Sequence, residues 1–302
     1  MTHHWGYVGA IASAILFGVG TTLNKLALAH VNPTVVAGLI YLFAGVSLSA
    51  VRFSPIRSRV MKLIKTPTKT ESKFCKRDIV TLGLVVLSGS VIAPLLLLNG
   101  LNQTTAINAS LLQNAEVLFT VLIALVFLRE HCSKREWTGI VILVVGAVFL
   151  ATNAQFNSLS LQEAVLGNLL ILGACLFWGI DNNLSKFLCI KEDLILVTAL
   201  KCLIGGASLL LLSYALNLNF YVPLSAFPYL ISVGAFSIGF SILFFMVGLK
   251  EIGSIRTGTI FSTSALFGAV FALIILKEPL TAIQALAGLI MVLGIYVLYK
   301  KK

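Results

Sequence analysis

Charge is the first thing that this sequence has little of. Only 11% of its 302 residues are Asp, Glu, Lys or Arg, whereas 58% are hydrophobic and the mean hydropathy is +1.00. Soluble domains contain about 25% charged and about 45–50% apolar residues. The composition therefore excludes an ordinary soluble domain and predicts an integral membrane protein.

Acidic residues are the scarcer of the two charged classes, with 11 Asp and Glu against 22 Lys and Arg and a net charge of +11. A basic protein can bind nucleic acid through a clustered patch. Here the basic residues are spread over short segments between apolar runs, which is typical of a membrane-topology signal. We therefore expect no nucleic-acid partner.

Catalytic and metal-binding patterns are also missing. The five cysteines form no CxxC pair and no Cys/His cluster, and no HExxH, GxxxxGK[ST] or Rossmann glycine pattern occurs. The segment 235–239 resembles GxSxG but lacks its first glycine and lies in an apolar run. We predict that the protein is not an enzyme and has no cofactor and no metal site.

Long apolar runs are what the chain has instead. A membrane-spanning helix needs about 20 predominantly apolar residues. Ten runs reach or approach that length, at about 5–28, 34–52, 79–99, 105–128, 137–152, 164–188, 194–216, 225–247, 255–276 and 281–299. The predicted fold is an all-α integral membrane protein with ten transmembrane helices.

The long connection 52–78 indicates the orientation, because cytoplasmic loops carry an excess of Lys and Arg. With this basic segment inside, all but three of the 22 basic residues fall on the same side. The exceptions are Lys25, Lys201 and Lys277. We predict a multi-pass protein of the cell (inner or plasma) membrane with both termini in the cytoplasm.

The two halves of the chain resemble each other. Residues 16–25 align with 177–186 at an offset of 161, and Glu130 aligns with Glu278 at an offset of 148. Each half has five predicted helices, an odd number, so the halves must lie in the membrane in opposite senses. Such inverted repeats are typical of secondary transporters, whose site lies near the midplane. The predicted units of this 5+5 inverted repeat are 5–152 and 164–299.

Several motifs occur in a familiar order: Phe177-Trp178-Gly179, an acidic residue closing helices four and nine, the turn Glu278-Pro279-Leu280-Thr281 and a glycine-rich last helix. This order resembles the drug/metabolite transporter superfamily, in particular members with two EamA domains. The resemblance covers nearly the whole chain. It implies a ten-helix carrier, often an exporter of amino acids, nucleosides or other metabolites, with a cavity lined by helices one, three, four, six, eight and nine.

Glu116 is the first candidate site residue. It lies inside predicted helix four, about 21 Å from Glu130 at 1.5 Å per residue. A carboxylate at that depth either exchanges a proton, meets a substrate cation, or locks two helices through a hydrogen bond in its protonated form. Gln113 shares its helix face and Asn114 adds a second amide, so both are further candidates.

Asp181 and Asn182 place a charge and an amide in the sixth apolar run, next to Phe177 and Trp178. These side chains either line a central cavity or have structural roles. In the structural alternative, Asp181 pairs with a nearby lysine and the two aromatic residues pack or anchor the helix at the membrane interface.

Lys201 is the last candidate and lies about 10 Å into predicted helix seven. It either snorkels back to the membrane surface, neutralises Asp181 or Glu116, or holds a carboxylate of an anionic substrate. The sequence leaves these alternatives open.

The sequence predicts a secondary active transporter that exports a small polar metabolite, such as an amino acid, by alternating access. Glu116 makes the proton a candidate coupling ion. The alternatives are an uncoupled facilitator and a non-transporting membrane sensor or scaffold. The expected partners are the small-molecule substrate, protons and the lipid bilayer, and we expect a monomer or homodimer.

Overall fold

A computed structural model describes residues 4–55, 76–127, 133–151, 163–189 and 194–299. All regular elements in these ranges are helical, and none of the described residues forms a strand. Most of the basic connection 52–78, together with Glu130, lies outside the described residues. The prediction of an all-helical membrane protein is confirmed.

The first five helices carry several interruptions. α1 spans His4–Leu28 and α2 spans Pro33–Phe53. α3 consists of Lys76–Val85, a π-helical segment Val86–Ile92 and Ala93–Gln103. α4 is divided into Ala106–Leu112 and Ala115–Phe127, and α5 spans Lys134–Ala151.

The second five helices follow a similar plan. α6 spans Glu163–Cys189 and α7 spans Leu194–Ala215. α8 consists of a 3₁₀ turn Leu224–Ala226, Phe227–Ser232, a π-helical segment Val233–Phe240 and Ser241–Phe261. α9 consists of Ser264–Phe271 and the π-helical Ala272–Leu276, and α10 spans Ala282–Tyr299.

Seven helices in the described ranges are long and apolar enough to cross a membrane, and three further apolar helices are shorter. The shorter ones are Trp137–Ala151, Ser264–Leu276 and Ala282–Leu298. Each of these ten segments overlaps one of the ten apolar runs of the sequence.

Local side-chain contacts explain where several helices begin. At the start of α2, the Asn32 side chain accepts a hydrogen bond from the backbone of Thr34, and Pro33 occupies the first helical turn. At the start of α10, Thr281 and Gln284 each accept a hydrogen bond from the other's backbone N–H. This reciprocal pair is a capping box, which satisfies two N–H groups that the helix cannot pair internally.

The chain reverses between α8 and α9 in the region of the predicted loop, at about 248–254: one apolar span ends at Gly248, and a Cβ atom at Gly248 would lie 2.9 Å from the Thr257 side chain. Helical backbone is found on both sides of this reversal, over Ser241–Phe261, and a turn at Ser262–Thr263 interrupts it. The reversal also brings the rings of Phe245 and Phe261 to 4.9 Å from each other. A straight helix would separate them by about 24 Å.

The interruptions recur in both halves of the chain. π-helical segments occur at Val86–Ile92 and Val233–Phe240, and turns break the helix at 113–114 and 262–263. At the offset of 148 found in the sequence, each pair of irregular segments coincides to within one residue. Irregular backbone in a membrane is tolerated where it is buried in protein or lines a cavity.

Glycines bring helices of the two halves into backbone contact, as small residues commonly do in membranes. A Cβ atom at Gly294 would lie 2.9 Å from the Leu143 nitrogen and 3.0 Å from the Gly139 oxygen. Similar approaches join α1 to α9, α2 to α7 and α3 to α6, at the pairs Gly18/Gly268, Gly38/Gly206 and Gly100/Gly167.

We expect Gly294→Leu to separate α5 from α10 and to lower the free energy of unfolding by about 1–3 kcal/mol, the usual cost of overpacking. Gly83→Leu is the matched control, because a Cβ atom at Gly83 would have nothing within 4 Å. Thermal unfolding in detergent measures the difference. Equal midpoints for the two variants would contradict the close packing of α5 on α10.

Candidate functional site

The turn within α4 positions Glu116. One helical segment ends before Gln113 and Asn114, and Glu116 lies in the first turn of the next, with its N–H donating to the Gln113 carbonyl at 3.0 Å. The Cys175 thiol of α6 lies 3.6 Å from the Leu112 carbonyl and donates to it. A side chain of α6 therefore binds a free carbonyl at the break in α4, and Glu116 lies four residues after that carbonyl.

Glu116 meets an amide from the other half of the chain. The Asn182 Nδ2 group donates to Glu116 Oε1 at 2.8 Å and to Thr120 Oγ1 at 3.2 Å. Glu116 is half-buried and Asn182 is exposed. Among the described residues, the Glu116 carboxylate has a hydrogen-bonding amide but no ion-pair partner. Such a group can take up a proton or a cation without first breaking a salt bridge.

Asp181, by contrast, is paired. Its carboxylate forms an ion pair with Lys201 of α7 and accepts a hydrogen bond from Ser185 at 3.0 Å. The Asp181 side chain is 6% exposed and that of Lys201 is 18% exposed. Of the alternatives for Lys201, neutralisation of Asp181 is the one found. Mutual neutralisation reduces the cost of placing two charges in a low-dielectric interior.

We call Glu116, Thr120, Asp181, Asn182 and Lys201 the carboxylate cluster. Close packing of α4 on α6 assembles it: a Cβ atom at Gly179 would lie 3.0 Å from the backbone of Phe119 and Thr120. Asn183 reinforces this contact by donating to the carbonyls of Thr120 at 2.9 Å and Gly179 at 2.8 Å. Residues far apart in sequence therefore meet at one level of the bundle.

The π-helical segment of α3 supplies a carbonyl to this region. The Gly89 oxygen accepts hydrogen bonds from Trp178 Nε1 at 3.2 Å and from Tyr41 Oη at 3.1 Å. A side chain at Gly89 would overlap the Asp181 carboxylate. Trp178 was a predicted candidate, whereas Tyr41 and Gly89 were missed. No pattern in this sequence indicates a π-helical turn, so the contact of the Gly89 carbonyl with Trp178 and Tyr41 could not be predicted.

Phe177 does not join the carboxylate cluster. Its side chain is partly buried and packs against the apolar core. This placement agrees with the packing role left open for the aromatic residues of α6.

Gln113 lies in a second polar region, which we call the central polar ring: Thr21, Ser110, Gln113 and Ser264, from α1, α4 and the start of α9. Gln113 Nε2 donates to Thr21 Oγ1 at 3.0 Å. The ring and Ala265 surround a cavity of only about 10 Å³. That volume is near the lower limit for a single water molecule.

One polar atom of the ring and two of residues that follow ring members in sequence have no hydrogen-bond partner among the described residues. They are Ser110 Oγ, Thr22 Oγ1 and Asn114 Nδ2, and all three are buried. A buried unsatisfied polar group costs about 1–3 kcal/mol. Asn114, a predicted candidate, therefore keeps an unsatisfied amide nitrogen, and no hydrogen bond joins its side chain to Glu116 among the described residues.

Comparison with known proteins supports a transport role. The sequence profile of the EamA-like transporter family matches residues 4–152 and 165–300. An uncharacterized transporter of Methanothermobacter thermautotrophicus is 40% identical over 299 residues, covering 99% of this chain and 87% of the relative. YetK, an uncharacterized transporter of Bacillus subtilis, is 21% identical over 98% of this chain and 87% of its own length.

A solved crystal structure of a protein has the same fold. It superposes with a TM-score of 0.67 at 16% sequence identity, covering 97% of this chain and 95% of the other. The family profile matches in two successive blocks, and the archaeal relative aligns over nearly the whole chain. The chain therefore belongs to the EamA-like transporter family, as a membrane protein with two EamA repeats.

Proposed function

We propose that this protein is a secondary active transporter that exports a small polar metabolite, such as an amino acid or a related compound, by alternating access. The observation that carries the proposal is the central polar ring, in which the buried Ser110 hydroxyl has no partner among the described residues, and Thr22 and Asn114, next in sequence to ring members, are likewise unsatisfied. Helices that only scaffold a membrane protein gain nothing from such groups. A polar solute would supply their missing hydrogen bonds.

The proposed architecture is a 5+5 inverted repeat of residues 5–152 and 164–299. Its support is the recurrence of the π-helical segments and helix breaks at one offset. The helix contacts have a matching pattern: α2 packs on α7 and α5 on α10, while α1 packs on α8 and α9 as α6 packs on α3 and α4. A two-fold axis between inverted halves produces this set of pairs, and the site then lies between the halves.

The basic residues support an orientation with both termini in the cytoplasm. We expect a fluorescent protein fused after Lys302 to be fluorescent. We also expect alkaline phosphatase fused at Asn219, in the connection between α7 and α8, to be active. The two reporters exchanged between these positions serve as the controls. An active phosphatase at the C-terminus would overturn the orientation, because that enzyme needs the oxidising side of the membrane.

Glu116 is the proposed coupling group, because it is the carboxylate of the cluster that has no ion-pair partner in the described part of the chain. Asn182 lies against it from the opposite half and is exposed. Movement of one half against the other would therefore change the surroundings of Glu116. Protonation in one state and release in the other would couple transport to a proton gradient.

If one proton is exchanged for one substrate molecule, a pH gradient of one unit can drive about a tenfold accumulation of substrate by the parent protein. We expect Glu116→Gln to abolish this uphill accumulation. The amide keeps the shape of the side chain but cannot carry the proton. Metabolite profiling of cells with and without the protein identifies the solute, and flux into proteoliposomes measures its accumulation. Glu251→Gln, outside the carboxylate cluster, is the control.

Accumulation by Glu116→Gln equal to that of the parent protein would remove Glu116 from the coupling mechanism. Parent flux that ignores the pH gradient would identify an uncoupled facilitator. An absence of flux for every solute found by profiling would favour a membrane sensor or scaffold.

Asp181 and Lys201 bond each other, so we propose that they position the cluster. Each single variant, Asp181→Asn or Lys201→Met, leaves one charge uncompensated, and we expect it to lower the free energy of unfolding by about 3 kcal/mol. The exchanged pair Asp181→Lys/Lys201→Asp should recover much of this loss and regain transport. Recovery of stability without recovery of transport would show that the substrate contacts one of these charges directly.

A further inference from the structure

The turn between α3 and α4 is held by two charged side chains that the carboxylate cluster does not include. α3 ends at Gln103 and α4 begins at Ala106, so only Thr104 and Thr105 separate the two helices. The turn therefore presents the last carbonyls of one helix and the first N–H groups of the next, and neither set has partners within its own helix.

Lys25 binds the carbonyl side of this turn. Its Nζ group donates to the Leu101 and Thr104 oxygens, each at 2.6 Å. A cation is favourable at the C-terminal end of a helix, where the backbone carbonyls carry partial negative charge. This contact also explains why Lys25 is an exception to the distribution of basic residues, since it neutralises a helix end inside the bundle.

Glu278 binds the N–H side of the same turn. Its two carboxylate oxygens accept hydrogen bonds from the backbone of Ala106 at 2.9 Å and of Ile107 at 3.0 Å. The preceding residue, Lys277, has a left-handed backbone with φ of 55°, which is uncommon for a residue other than glycine. The chain adopts this unfavourable conformation at the point where Glu278 reaches α4.

A cavity of about 450 Å³ lies against the α3–α4 turn. Apart from two apolar side chains, its lining consists of amides and hydroxyls, namely Gln103, Thr104, Thr105, Asn108, Thr281 and Gln284. Gln103 Oε1 is buried without a partner among the described residues. In the part of the chain that the structure describes, the lining has no ionisable side chain, so the cavity suits a small solute that is recognised through hydrogen bonds.

The α3–α4 turn adjoins both this cavity and the central polar ring. Lys25 follows Thr21 by four residues on one face of α1, and Ser110 follows Ala106 by four residues in α4. The contacts on the turn come from α1 in the first half and from the end of α9 in the second half. Relative movement of the halves would therefore pull on the turn through Glu278, while Lys25 holds the turn to the first half.

We propose that Lys25 and Glu278 form a latch on the α3–α4 turn, and that its release joins the 450 Å³ cavity to the central polar ring so that a small hydrogen-bonding solute can pass. This inference rests on the proposed transport function. The lysine and the glutamate bind backbone atoms of Thr104 and Ala106, which are two residues apart in the turn. Small shifts of this kind become discrete transitions because packed interfaces are bistable.

The test measures access to the ring rather than transport. Ser110→Cys places a thiol in the ring, and a membrane-impermeant maleimide is applied to intact cells. The increase in labelling over the parent protein, which has five cysteines, reports opening. We expect Lys25→Met and Glu278→Gln each to raise the labelling rate of Ser110→Cys about two- to fivefold, the range for loss of one charge at a helix terminus.

Arg135→Gln is the matched control. Arg135 Nε donates to the Val297 carbonyl at 3.1 Å, so this variant removes the same kind of contact between α5 and α10, away from the turn. It should leave the labelling rate unchanged, and Lys25→Arg should restore the rate of the parent. Unchanged labelling in both latch variants would overturn the proposal, whether or not the protein transports.

A purely structural clamp gives a different result. In that case Lys25→Met and Glu278→Gln would lower the unfolding midpoint and expose the buried Cys175 together with Ser110→Cys. Glu278→Asp keeps the charge and shortens the side chain by one methylene, and a latch predicts a folded protein with intermediate labelling. If Glu278→Asp also unfolds the protein, the latch is wrong and the contact is a clamp.

Discussion

Hydrocarbon offers no hydrogen bonds, so every helix end and every interrupted turn within the bundle needs a partner from the protein itself. This constraint accounts for the contacts that define the site. The thiol of Cys175 takes a carbonyl at the break in α4, and Tyr41 and Trp178 share the Gly89 carbonyl of the π-helical segment. Lys25 binds a carbonyl at the end of α3, and Glu278 binds an N–H group at the start of α4. Irregular backbone and polar side chains therefore occur together.

The same contacts connect the two halves of the chain. Glu116 comes from the first half and Asn182 from the second, and Glu278 of the second half binds the α3–α4 turn of the first. Glycine pairs bring the helix backbones close enough for these side chains to reach across. A shift between the halves would therefore disturb the polar contacts directly, which is the mechanical requirement of a carrier.

The polar groups differ in chemistry along the bundle. The carboxylate cluster contains three ionisable side chains, two of which neutralise each other. The central polar ring and the large cavity are lined by hydroxyls and amides. A neutral lining lets a polar solute bind through hydrogen bonds without a permanent charge to hold it. In the proposed mechanism, the ionisable groups are then left for proton coupling and for holding the helices together.

The sequence by itself determined the membrane class, the family and the approximate positions of the apolar helices, because hydropathy and repeated motifs are local properties of the chain. It also identified Glu116, Asp181 and Lys201 as unusual, since charges in apolar runs are conspicuous. Only the tertiary structure decided which groups are paired: Lys201 with Asp181, and Asn182 with Glu116. Partner choice depends on helix rotation and on interrupted turns such as 113–114, which arise from packing between segments far apart in the chain and leave no periodic signal in it.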